Sequence, residues 1–169
     1  MSICVHYIGV DPGASGGIAA LSHDGAIHEA VSTPESYRDI LDLLRSFGSP
    51  SRAMLERVSA SPQMGVVSAF KFGKGYGALV MALVAADISF DYVSPQKWQT
   101  ELGCRTGGGK IGERDNTAAK NKTKNRAQEL FPQLLDGVKI THYTADALLI
   151  AEYCRRMNAN RLFLPASAE

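Results

Sequence analysis

Three acidic residues stand where a carboxylate is unusual. Asp11 ends a short apolar run and is followed by Pro-Gly, Glu56 comes late in a second apolar run, and Asp146 lies in the first turn of an apolar helix pattern. Aspartate is depleted in strands, and burying an unpaired carboxylate is costly. Clustered carboxylates repel one another unless cations lie among them, and Mg²⁺ prefers hard oxygen ligands. If the fold brings these element ends together, the three acids predict a divalent-metal site.

Each acid alone also has a structural explanation. Asp11 could cap a turn, and an acid in the first turn of a helix, as at Asp146, gains modest stability from the helix dipole. The functional interpretation therefore depends on the three acids meeting at one edge of a sheet.

Hydrophobic patterning predicts the elements that would carry these acids. Strands are predicted over 5–10, 17–21, 26–31, 53–58 and 89–94, with a hairpin turn at "SHDG". Helices are predicted from Thr33-Pro34 to Gly48, over 78–86, from Ser94-Pro95 to Trp98, over 122–131 and over 144–157. The helix over 78–86 is apolar nearly all round and is expected to be buried. Loops are expected between Glu56 and "GKGYG" and over 103–117.

The element order predicts a mixed α/β fold. It comprises a five-stranded sheet, with a three-strand antiparallel meander and two further strands, flanked by helices. The 169 residues fit one domain, 1–157, followed by a tail, 158–169. We expect no membrane-spanning stretch and no secretory signal. Three cysteines without a CxxC spacing argue against a zinc site and favour a reducing compartment, the cytoplasm by default.

Charge is unevenly distributed although the net charge is only +1. Residues 97–126 hold eight Lys/Arg and three acids, whereas residues 1–60 hold seven acids and four arginines. This asymmetry is typical of a polyanion-binding face beside a cation-binding centre. A solvated basic loop is the alternative, and charge alone favours that alternative.

The motifs "IGVDPGASGGIA", "MLERV" and "HYTADALLIAEY", in this order, resemble the RuvC-type Holliday-junction resolvases of the RNase H-like superfamily. The phage and plant-chloroplast branch is the most similar. "GKGYG", "SPQKWQ" and the lysine-rich "KNKTKNRAQELFP" after a glycine-rich loop extend the resemblance to about residue 153. The first motif alone is a weak signal, but the ordered set is fairly specific.

The resemblance implies an RNase H-like fold and a structure-selective endodeoxyribonuclease of recombination and repair. Such an enzyme resolves four-way (Holliday) junctions by two symmetric metal-dependent cuts. Asp11, Glu56 and Asp146 would bind two Mg²⁺ ions per active site, with Mn²⁺ as the alternative ion and no organic cofactor. A fourth ligand is expected three residues before the last Asp. Tyr143 occupies that position, so His142, one residue earlier, is either a ligand or general base, or a surface histidine.

The resemblance also implies branched DNA and a second copy of the chain as partners. Phosphate contacts are expected from Arg105, Lys110, Lys120, Lys122 and Lys124. Gln63, Met64, Phe70 and Phe72 are expected in a loop that enters the junction centre, although the two phenylalanines could instead pack that loop on the core. Two symmetric cuts call for a homodimer, for which the "GYGALVMALVAA" helix is a candidate interface. Trp98 is expected to pack in the core and Glu152 to lie on the surface. The cell would be bacterial or phage-infected, and a processed organellar form is not excluded.

Three other functions compete with this interpretation. An RNase H-like nuclease could act on other branched or hybrid nucleic acids, which matched DNA substrates would reveal. A non-catalytic module could bind junctions without cutting them, but the three retained acids argue against it. Actin-like and sugar-kinase ATPases also begin with an Asp-x-Gly hairpin, but they need two such domains, which 169 residues cannot supply.

Overall fold

The computed structural model describes residues 6–13, 15–59, 62–105, 116–132 and 139–158, with the backbone alone described over 116–120. Five strands form one sheet in the order β3-β2-β1-β4-β5. They are β1 (His6–Asp11), β2 (Gly17–Leu21), β3 (Ile27–Ser32), β4 (Ser51–Glu56) and β5 (Ser89–Val93). β1, β2 and β3 are antiparallel neighbours, and β4 runs parallel to both β1 and β5. This architecture confirms the predicted fold class.

Five helices of the described chain cover the two faces of the sheet. They are α1 (Tyr37–Ser46), α2 (Val66–Ala85), α3 (Pro95–Glu101), α4 (Asn116–Leu130) and α5 (Ala145–Asn158). Strand side chains alternate between two buried clusters, since Ile8 and Val10 pack with α1 and α2 while Tyr7 packs with α3, α4 and α5. The sheet is therefore the middle layer of three.

Helix α5 lies directly against β1 because β1 carries glycine at the crossing point. A Cβ atom on Gly9 would overlap the carbonyl oxygen of Ala147 and the backbone nitrogen of Ala151. A Cβ atom on Gly17, in the neighbouring strand, would overlap the carbonyl oxygen of Tyr143, just before α5 begins. The two glycines therefore set how closely the first turns of α5 approach the sheet.

Helix α2 differs from the prediction in length and in burial. The expected loop before 78 is largely helical, because α2 begins at Val66 and continues to Ala85. Only Leu79, Ala82 and Leu83 of this helix are buried, so the expected all-round burial is wrong. By length and composition α2 is also the one described helix that could cross a membrane, whereas no such stretch was expected.

Two smaller differences concern charged segments. Glu152 is buried instead of lying on the surface, because Arg155 and Arg156 of the same helix pair with its carboxylate at 2.8 Å each. Helix α4 begins at Asn116, earlier than predicted. The remainder of the predicted loop, 106–115, the tail after 158 and Cys4 lie outside the described residues.

Candidate active site

Asp11 and Glu56 end two neighbouring parallel strands. Val10 of β1 lies opposite Leu55 of β4, so the two acids are the next residues of their strands at the same edge of the sheet. Strand alternation places Asp11 on the face that carries Tyr7, and Glu56 on the face that carries Met54. Tyr7 and Met54 belong to one buried cluster with α5, so both carboxylates lie on the α5 side of the sheet.

Asp146 reaches the same edge from the first turn of α5. Asp11 pairs with Gly17 in the β1–β2 ladder, and Gly17 packs against the backbone of Tyr143. The start of α5 is therefore held over the ends of β1 and β2. One carboxylate oxygen of Asp146, Oδ1, is buried.

Glu56 is the centre of this group, with a side chain only 8% exposed. Nε1 of Trp98 donates a 2.8 Å hydrogen bond to Oε1 of Glu56. Burial raises the pKa of Glu56 to about 7 against that bond, the negative charge of Asp146 adds to the rise, and a hydrogen bond with Asp11 opposes it. The structure thus brings the three predicted acids into direct electrostatic contact around Glu56.

The buried thiol of Cys104 lies close enough to Asp146 to be affected by its charge. Burial raises the pKa of the Cys104 thiol to about 11, and the negative charge of Asp146 contributes to the rise. Lys122 and Arg126 act in the opposite direction on the same thiol. The thiol is therefore protonated at neutral pH, and charges of both signs, from Asp146 and from α4, act on it.

Within the described residues, no three His, Cys, Asp or Glu side chains are arranged as a ready metal-binding group. The chemistry of the donor set nevertheless suits a hard divalent cation, because Asp11, Glu56 and Asp146 supply only carboxylate oxygens. The hydrogen bond between Asp11 and Glu56 requires a proton between two carboxyl groups. A cation would neutralise the same crowded charge without that proton.

His142 and Tyr143 lie in the turn that precedes α5, and both are exposed. The hydroxyl of Thr141 accepts a hydrogen bond from the backbone N–H of Tyr143, and this fixes the turn. His142 belongs to no group of three potential ligands among the described residues, so its role as ligand or general base stays a prediction.

The predicted phosphate-binding residues are only partly described. Arg105 and Lys122 are exposed and linked, because Nζ of Lys122 donates a 2.6 Å hydrogen bond to the carbonyl oxygen of Arg105. Lys124 is half-buried, the backbone of Lys120 belongs to α4, and Lys110 lies outside the described residues. This hydrogen bond joins α4 to the segment that follows α3, the helix that carries Trp98.

The four residues expected in the junction-entering loop are divided by α2. Gln63 and Met64 precede the helix, whereas Phe70 and Phe72 belong to it. Phe70 is 73% exposed. Phe72 is half-buried and its ring stacks on that of Tyr76, with the centroids 6.3 Å apart. The two phenylalanines therefore lie in different environments, which the sequence could not separate.

Sequence reasoning missed the contact between Trp98 and Glu56. Trp98 is fully buried, as predicted, but its indole also orients a candidate catalytic side chain. The sequence indicated only that Trp98, if buried, would need an acceptor for its indole N–H. The acceptor itself lies 42 residues away and was not readable from the local pattern.

No protein-family model and no curated protein match the sequence. Solved structures that match it in fold include two of RuvC. Thermus thermophilus RuvC has 18% identity and a TM-score of 0.55, with 95% of this chain and 96% of that chain covered. T. thermophilus RuvC in complex with Holliday junction substrate has 19% identity and a TM-score of 0.54 over the same shares. The chain therefore has the fold of the RuvC Holliday junction resolvase, as the sequence resemblance predicted.

Proposed function

We propose that this protein is a metal-dependent endonuclease that resolves four-way DNA junctions by two symmetric phosphodiester cuts. One observation carries the proposal: Asp11 and Glu56 end adjacent parallel strands, and the first turn of α5 brings Asp146 to them. The similarity to T. thermophilus RuvC, which was solved with a Holliday junction substrate, supports branched DNA as the substrate class.

Asp11, Glu56 and Asp146 would hold two Mg²⁺ ions, which supply a nucleophilic water and stabilise charge on the leaving oxygen. The strand ladder holds the backbones of Asp11 and Glu56 beside each other at one edge of the sheet. Trp98 orients Glu56 through the 2.8 Å hydrogen bond and closes the site from the core side. Glu56 must lose its proton to act as a ligand, so its raised pKa makes the loaded site depend on pH near 7.

DNA would lie across the same edge, with its backbone on the basic side. Lys122 and Arg105 are exposed and joined to each other by a hydrogen bond, and the charges of both Lys122 and Asp146 act on the Cys104 thiol. Cations beside a metal centre neutralise the phosphates that flank the cut. This arrangement supports the predicted division between a cation-binding centre and a polyanion-binding face.

A homodimer would form through α2. The helix exposes an apolar stripe directly opposite its buried residues: Val66 (86% exposed), Phe70 (73%), Met81 (61%) and Val84 (56%), with Gly73 and Gly77 between them. Positions three and four apart share one helix face, and glycine lets a second helix approach closely. An apolar stripe of this length favours a partner helix. Phe70 lies on the stripe, so its contact with a partner and its predicted contact with DNA are alternatives.

The test is incubation of the purified protein with a mobile four-way junction, with and without Mg²⁺, followed by mapping of nicks on every strand. Paired nicks at symmetric positions, only with Mg²⁺ and far faster than on matched duplex or flap DNA, are expected. Comparable cutting of all three substrates would instead support a general RNase H-like nuclease. Tight junction binding without any nick would support a non-catalytic module.

A further inference from the structure

A cavity of about 590 Å³ lies between the start of α1 and the N-terminal half of α2. It reaches Gly13, two residues after Asp11, so it opens beside the edge that carries the acidic group. Its volume falls within the range of sites that bind small organic groups. None of the three acids proposed for cleavage lines this cavity.

Three aromatic residues contribute to its lining. Phe72 and Tyr76 line the cavity, and their rings stack at an interplanar angle of 21°. Tyr37 lines it from α1, and the ammonium group of Lys74 lies 5.8 Å from the centroid of the Tyr37 ring. Aromatic ring faces suit a planar heterocycle better than a branched aliphatic group.

Charged side chains are also part of the cavity lining. Glu35 and Lys71 also line the cavity and add an acceptor and a cation. A planar ring with polar edges and an attached phosphate matches this lining.

We propose that the cavity receives one unpaired nucleobase of the bound junction, stacked against the aromatic side chains of Phe72 and Tyr76, with Lys71 at its phosphate. The proposal rests on the proposed function, because it requires branched DNA to cross the Asp11 edge. Bases at a branch point have already lost part of their stacking, so extruding one is less costly there than in a continuous duplex. The cavity would then contribute to the choice of cutting position.

The test is an abasic scan in the full-length Asp146→Asn protein. Each nucleotide beside the crossover is replaced in turn by an abasic residue, and junction affinity is measured. One position is expected to lose about 10-fold in affinity, the scale of a lost base–aromatic stack. In a Phe72→Leu background the same abasic substitution should cause almost no further loss. Phe90→Leu, a half-buried phenylalanine outside the cavity, is the matched control and should keep the full abasic effect.

A second variant keeps the test independent of any packing damage at Phe72. Lys71→Met removes the exposed cation from the cavity and should lower junction affinity, while the abasic effect persists. A full abasic effect in Phe72→Leu, or competition by free nucleoside monophosphate without any abasic-sensitive position, would overturn the base pocket while junction cleavage stands. Equal affinity of the otherwise unmodified protein for junction and duplex would overturn the proposed function as well.

Discussion

The indole of Trp98 and the carboxylate of Glu56 are joined inside the protein by a 2.8 Å hydrogen bond from Nε1 to Oε1. Trp98 is part of the buried cluster under α5, so this bond ties the conformation of an active-site acid to the packing of the core. The bond also favours the ionised form of Glu56, against the effect of burial. Its strength therefore bears on both stability and the protonation of the site.

Trp98→Phe keeps an aromatic ring in the core but removes the donor. We expect the pKa of Glu56 to rise further, because the hydrogen bond from Trp98 is one of the interactions that lower it. The pH profile of junction cleavage should then move to higher pH, with a loss of about 2 kcal/mol in stability. Lys97→Ala, on the exposed neighbouring residue of α3, is the control for general effects. An unshifted pH profile would show that the bond does not set the state of Glu56.

Glu56 should make the metal-free protein less stable as the pH rises. Its folded pKa of about 7 lies above the ordinary value of 4.5, so its contribution is full below about pH 4.5 and is lost as the pH approaches 7. The difference corresponds to about 3 kcal/mol. Urea unfolding across this range should show that the stability of the unmodified protein falls relative to that of Glu56→Gln as the pH rises. The difference between the two curves cancels other titrating groups, and parallel curves would refute the raised pKa.

The basic residues of α4 should set the salt dependence of DNA binding. Replacing Lys120, Lys122 and Lys124 with alanine should weaken junction binding and reduce the slope of log affinity against log salt by about 1 for each phosphate that is no longer neutralised. Arg38→Ala, an exposed arginine on α1, should leave the slope unchanged. If the triple variant keeps the original slope, these side chains do not bind phosphates.

Met81→Glu should separate the two copies of the chain. The substitution places a charge within the apolar stripe on α2, so light scattering should report a monomer at concentrations where the unmodified protein is a dimer. Ser68→Glu introduces the same charge at an exposed position on the opposite face of the same helix and should stay dimeric. Phe70→Ser then distinguishes the two assignments of Phe70: loss of the dimer places it in the interface, and loss of junction affinity in an intact dimer places it on DNA.

The sequence predicted the sheet and the acidic group because both follow from local patterns. Short apolar runs marked β1, β2 and β4, and an acid at the end of an apolar run stood out at Asp11 and Glu56. Helix α2 was misjudged because Gly73, Gly75 and Gly77 lower helix propensity. The helical spacing of Phe72, Tyr76, Leu79 and Leu83 indicates one continuous helix. Packing of its inner residues against α1 and the sheet stabilises that helix despite the glycines.

Features that depend on distant parts of the chain could not be predicted from local patterns. The ion pairs of Glu152 are local and were predictable, since arginines three and four residues later can reach back along a helix. The Trp98–Glu56 hydrogen bond and the cavity between α1 and α2 were not predictable, because each depends on elements that only the complete fold brings together.

The most direct test of the central claim is Mn²⁺ binding, measured by calorimetry on the full-length protein without DNA at pH 8. We expect saturable binding to the unmodified protein that is lost, or weakened at least 10-fold, in each of Asp11→Asn, Glu56→Gln and Asp146→Asn, with folding intact by circular dichroism. Glu129→Gln, an exposed acid on α4, should bind as the unmodified protein does. Undiminished binding in any of the three variants would contradict a shared metal centre.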